Sequence, residues 1–169
     1  MGIEVISEFI AKATVRIIAY VYNDADDLVD PTSIKAIIKD PDGVQKAGYI
    51  SVSDSSSFTA GLVVTGATSG ATGLVVSKPD GTTLELQRVT GVWQSGEVIE
   101  DTGSGTSTTT SALLGAIMTK QNSTTGIYEY YYHTTTSSTT GWWRGEIVVV
   151  DGSGATAKTS IGKFSFRMK

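Results

Sequence analysis

Apolar and polar positions alternate with period two along most of the chain, most clearly between Gly126 and Gly152. Tyr128, Tyr130 and Tyr132 fall on one face there, with Ile127, Glu129, Tyr131 and His133 on the other. A Ser/Thr loop from His133 to Thr140 follows, closed by Gly141. Beyond it, Trp143, Gly145, Ile147 and Val149 share a face, while Trp142, Arg144, Glu146, Val148 and Val150 point away. Such alternation of aromatic and β-branched residues predicts two half-buried strands. The rest of the chain is expected to supply a sheet partner for this hairpin.

Further strands are predicted on either side. From Thr14, Val15, Ile17, Ala19 and Val21 alternate with Arg16, Ile18, Tyr20 and Tyr22. Asn23 to Asp27 is a turn, because Asn and Asp bond to their own backbone and tolerate left-handed dihedrals. Ile34, Ala36 and Ile38 then face one side. Asp40-Pro41-Asp42-Gly43 is a second turn, and Val44 to Val52 reads as a third strand. The last strand spans Ala155 to Met168, with Phe164, Phe166 and Met168 on one face. Residues 3 to 12 mix Ile3, Val5, Ile6, Phe9 and Ile10 with charges such as Lys12. They read as an edge strand or short helix over the core, or as an arm docking on a neighbouring subunit. No segment keeps a helical period for more than about two turns.

The pattern changes at Ser53 to Ser57. The following stretch is rich in Gly and Thr, with short candidate strands at 62–64, 73–77, 83–89, 97–100 and 106–113 and a tight turn at Pro79-Asp80-Gly81. It reads as a small β module, residues 58–114, inserted into a loop of an outer domain made of 1–57 and 115–169. Insertion at an exposed loop is tolerated because closure entropy grows slowly with length.

Composition agrees with an all-β fold: 169 residues hold 19 glycines, 40% hydrophobic and 18% charged residues. The net charge of −4 and the lack of an evident basic patch argue against nucleic acid and anionic membranes as partners. Without cysteine there is neither a disulfide nor a thiolate zinc site. The first twenty residues lack a basic stretch followed by an unbroken apolar run, so no signal peptide is expected and synthesis is expected in the cytoplasm.

Candidate chemistry is sparse. His133 is the single histidine; Ser137 and Ser138 lie close in sequence, but no G-x-S-x-G elbow accompanies them. Asp24, Asp26, Asp27 and Asp30 could offer oxygens to calcium, yet their spacing is not that of an EF-hand and a solvated turn is the preferred reading. Gly66 to Gly73, GATSGATG, is rich in glycine but lacks the Lys-Ser/Thr ending of a phosphate loop. Glu97, Glu100 and Asp101 are weighed as a glycosidase pair and read as ordinary solvent-facing acids. No catalytic residue, cofactor or metal is assigned.

The outer segments resemble an immunoglobulin-like sandwich found in virion proteins of tailed bacteriophages. The residues carrying the resemblance are Val15-Arg16-Ile17, Val29-Asp30-Pro31-Thr32-Ser33-Ile34, Asp40-Pro41-Asp42-Gly43, Gly126-Ile127-Tyr128-Glu129-Tyr130, Gly141-Trp142-Trp143 and Phe164-Ser165-Phe166. The insert resembles small β modules of phage neck and tail proteins through Ala71-Thr72-Gly73-Leu74-Val75, Leu84-Glu85-Leu86, Val89-Thr90-Gly91-Val92-Trp93 and Gly96-Glu97-Val98-Ile99. The resemblance implies a non-enzymatic structural protein of the virion, in the head–neck connector or decorating the capsid. Its partners would be capsid, portal or neck subunits, met in several symmetry-related copies. A carbohydrate-binding or adhesion module is the alternative, with a surface glycan held by the insert or by a Trp142/Tyr131 face. Candidate partner-binding residues are Ile3, Val5, Phe9, Trp93, Tyr131 and Trp142.

Overall fold

The computed structural model describes residues 1–11, 14–135 and 137–168, and of residues 10 and 11 the backbone only. Lys12, Thr136 and the Ile10 side chain thus lie outside the described residues. The chain is all β and antiparallel, and it divides into two compact units: residues 1–43 with 117–169, and residues 44–116.

The outer unit is a sandwich. One sheet runs β1 (Gly2–Ala11), β2 (Thr14–Tyr22), β12 (Ile127–His133) and β11 (Thr119–Lys120) in spatial order. The facing layer runs β14 (Lys158–Met168), β13 (Gly141–Asp151) and β3 (Ser33–Lys39). Side chains alternate across a pleated strand, so one face of each layer is buried. Val15, Ile17, Ala19, Val21, Tyr128, Tyr130 and Tyr132 come inward from the first sheet. Ile34, Ala36, Ile38, Trp143, Ile147, Val149, Phe164 and Phe166 meet them from the second. The rings of Tyr132 and Trp143 lie 5.5 Å apart across the layers, and Trp143 stacks on Phe166 at 5.8 Å. The Trp143 indole Nε1 donates to the Thr139 carbonyl at 2.8 Å.

The N-terminal segment is an edge strand. β1 pairs with β2 from Gly2↔Tyr22 to Phe9↔Val15. Ser7 Oγ donates to the Ser165 carbonyl at 3.1 Å, and Ser160 Oγ donates to the Met1 carbonyl at 3.2 Å. These bonds join β1 to β14, the outermost strand of the facing layer.

Asp30 ties the first turn of this unit to its C-terminal half. Its carboxylate accepts from Gly126 N at 2.9 Å and Tyr128 Oη at 3.0 Å, and pairs with Lys120 Nζ at 2.5 Å. Gly126 sits at φ 72°, with Val29 N so close that a Cβ would lie 2.8 Å from it. A glycine is needed there on both counts.

The inserted unit contains β4 (Gln45–Ser51), β5 (Val63–Gly66), β6 (Thr72–Asp80), β7 (Thr83–Thr90), β8 (Val98–Asp101) and β9 (Thr106–Thr108), in spatial order β4-β7-β6-β5-β8-β9. The short β10 (Ala116–Ile117) marks the return to the outer unit. After β9 the chain runs back along β4: Thr110 N donates to Ser51 O at 2.7 Å and Leu114 N to Tyr49 O at 2.9 Å. The core holds Ile50, Val52, Phe58, Val64, Val75, Leu84, Leu86, Val89, Trp93 and Ile99.

Two boundaries differ from the sequence reading. The strand expected in the outer domain at 44–52 belongs to the insert, so the units divide at 43/44 and 116/117 rather than at 57/58 and 114/115. The reason is pairing: β4 runs beside β7 from Ala47↔Gln87 to Ser51↔Thr83, and Ile50 and Val52 enter the insert's core. The Ser53–Ser57 run is a loop within that unit, with Ser55 Oγ donating to Asp80 O at 2.7 Å. The turn expected at Pro79-Asp80-Gly81 falls slightly later. β6 continues to Asp80, whose carboxylate accepts from Thr82 N at 2.7 Å and from the Thr83 hydroxyl at 3.0 Å.

Two outcomes follow from this packing. A Cβ at Gly145 would overlap the Phe164 ring, whereas one at Gly81 meets nothing within 4 Å. Gly145→Ala should therefore cost about 1–3 kcal/mol in urea unfolding, and Gly81→Ala should stay within about 0.5 kcal/mol. Burial, reinforced by the bond to Asp30, pushes the Tyr128 phenol up to about 12. Its contribution to stability is complete below the ordinary tyrosine value of 10.0 and is lost as pH rises toward 12. An ultraviolet titration should show a late tyrosinate step that Tyr128→Phe removes.

Candidate functional site

The strand alternation that fills the core also decides what each sheet shows to its outer side. Lys35, Ile37 and Lys39 lie opposite Ile34, Ala36 and Ile38 on β3. Register then aligns rows across three strands: Lys39, Arg144 and Ser165; Ile37, Glu146 and Lys163; Lys35, Val148 and Ile161. Trp142 is paired with Arg167 at the end of this grid and is 57% exposed. Five of the chain's 13 Lys and Arg residues thus stand on one face of three strands, with Glu146 as the single carboxylate in the rows. An open cleft of about 850 Å³ lies over this face, lined by Ile37, Lys39, Asp40, Trp142, Arg144 and Lys163 among others. Cations flanking an aromatic ring suit an acidic or planar polar ligand. The sequence reading found no basic patch because these cations are scattered along the chain and gathered only by register.

The outer side of the other sheet has the opposite balance. Its rows are Glu4, Tyr20 and Ile127; Ile6, Ile18 and Glu129; Glu8, Arg16 and Tyr131. Arg16 holds Glu129 through Nε at 3.1 Å and Nη2 at 2.8 Å, and reaches Glu8 at 3.2 Å. Tyr131 Oη donates to Glu129 at 3.0 Å. Burial, with Glu129 as acceptor, pushes the Tyr131 phenol up.

The candidate partner-binding residues are dispersed. Trp142 and Tyr131 are exposed, but they stand on the outer sides of the two different layers, so a shared Trp142/Tyr131 face does not exist. Phe9 is 47% exposed and lies edge-on to Phe166 at 5.9 Å. Ile3 and Val5 turn toward β14; a Cβ on Gly162 would lie within 3 Å of each. Trp93 is corrected outright: it is 2% exposed, a core residue of the insert. The exposed apolar residue of this stretch is its neighbour Val92, at 79%.

The acidic candidates have structural work. Glu97 is 4% exposed, and its carboxylate accepts from Gln94 N at 2.8 Å, Ser69 N at 3.0 Å and Ser69 Oγ at 3.0 Å. The GATSGATG loop therefore does cradle an anion, and that anion is the chain's own Glu97. Burial alone would raise this carboxyl, but the backbone donors outweigh it and hold it below its ordinary value. Asp101 is held low in the same way, by Gly105 N, Thr59 N and Gly103 N at 2.8, 3.2 and 2.9 Å. Glu100, between them on β8, is exposed. A glycosidase acid needs the reverse shift, a raised carboxyl.

Asp24 pairs with the N-terminal ammonium at 2.6 Å, and Asp30 turns toward Lys120. Among the described residues no three His, Cys, Asp or Glu side chains converge on one point. His133 Nδ1 bonds with Thr14 Oγ1 at 3.1 Å, while Ser138 Oγ accepts from Thr135 N. Comparison with protein-family models, curated proteins and solved structures finds no match.

Glu97 gives a pH-dependent outcome. With the folded carboxyl below its ordinary value of 4.5, its stabilisation is present above that pH and is lost as pH falls through the folded value. Glu97→Ala should cost about 3 kcal/mol at neutral pH, because buried donors lose their acceptor. In urea titrations followed by tryptophan emission, the gap between wild type and Glu97→Ala should narrow as pH falls below 4.5.

Proposed function

We propose that the protein is a non-enzymatic structural component of a tailed-phage virion, in the head–neck region or on the capsid surface. It works through protein–protein contacts with capsid, portal or neck subunits. The observation that carries this reading is the outer face of β3, β13 and β14, where Trp142 stands among Lys39, Arg144, Lys163 and Arg167. Aromatic and Arg side chains on a rigid sheet are the usual anchors of protein contacts. The shifted carboxylates support the same reading, since those of Glu97 and Asp101 are taken up by backbone donors of their own turns. The virion setting comes from the resemblance of the outer strands and the insert to phage modules.

A carbohydrate-binding role is the second reading, favoured by one observation: Trp142 is exposed beside the cleft that Glu146 and Arg144 also line. Binding to particles that lack the protein separates the two. Wild type should bind purified capsids or connectors, and Trp142→Ala should weaken that binding about tenfold or more, as loss of a hot-spot aromatic does. Failure to bind any particle, together with tryptophan quenching by glycans, would favour the sugar reading.

A further inference from the structure

The two outer faces of the sandwich complement each other. Facing sheets turn their outer sides in opposite directions. One side carries Trp142 with Lys39, Arg144, Lys163 and Arg167, and a surplus of positive charge. The other carries Glu4, Glu8 and Glu129 against Arg16 alone, among the described residues. Each side also has exposed apolar groups able to exclude water: Trp142 and Ile161 on the basic side, Ile6 and Tyr131 on the acidic side. Lys39, Arg144, Lys163 and Arg167 make no ion pair among the described residues, and Glu146 is the one carboxylate in their rows.

We infer that the occupant of the basic face is a second copy of this chain, which presents its acidic face. The contact is heterologous: each copy uses one face and leaves the other open, so growth continues until a ring closes or a stack forms. A two-fold dimer through either face would set like charges against each other, which is costly. The inference names a partner for the face on which the proposed function rests, and its test needs no particle.

Sedimentation velocity of the purified chain should show mass growing with concentration beyond a dimer at low ionic strength. In about 1 M salt, where the screening length falls to about 3 Å, those species should disappear. Arg144→Glu with Lys163→Glu should remain monomeric, and so should Glu4→Lys with Glu8→Lys; circular dichroism checks that both are folded. Mixed together, the two variants should associate again at low ionic strength. The first variant retains a wild-type acidic face and the second a wild-type basic face. A wild type monomeric at every concentration in low salt would overturn the inference. So would a closed two-fold dimer, or self-association unchanged by Arg144→Glu with Lys163→Glu. If the wild type stays monomeric yet binds particles, the basic face serves a different acidic protein and only the virion reading survives.

Discussion

The aromatic seam between the two layers of the outer unit is the contact on which the rest depends. Tyr132 comes from the first sheet, Trp143 and Phe166 from the second, and their rings touch in series at 5.5 and 5.8 Å. Such pairs add about 0.5–1.5 kcal/mol each beyond the area they bury. The seam also fixes register. A slip of one residue in β13 would bring Trp142 and Arg144 inward and expel Trp143 and Ile147. The outer faces are what they are because the inner ones are locked.

The insert is organised differently, around carboxylates. Its Gly, Ser and Thr turns leave many backbone N–H groups that no ladder satisfies. Glu97 and Asp101 answer that need, each accepting from donors in turns distant in sequence, 28 residues away for Ser69 and 42 for Thr59. Hydrogen bonds to a charged acceptor are stronger than neutral ones. That strength lets a module rich in Gly, Ser and Thr turns hold its loops. The same acids make poor reagents, because a carboxylate held low by several donors neither releases nor collects protons near neutral pH.

In the outer unit, self-complementarity follows from economy of pattern. Six of its strands place every second residue outward with no core constraint, and charge is free to vary there. β3, β13 and β14 contribute cations at those positions, while β1, β2 and β12 contribute mainly acids and tyrosines. A sandwich built this way has two unlike faces on one rigid body, a geometry suited to repeated assembly.

The sequence alone determined the all-β class, the inward Tyr128-Tyr130-Tyr132 and Trp143-Ile147-Val149 sets and the existence of an inserted module. Side-chain alternation is a local property of a strand, readable from neighbours two residues apart. Only the tertiary structure decided that β4 belongs to the insert, that Trp93 is buried, and that Trp142 and Tyr131 point away from each other. It also decided that the GATSGATG loop closes on Glu97. Each of these depends on which strand lies beside which, at separations of tens of residues, and pairing of that range leaves no mark in the local pattern.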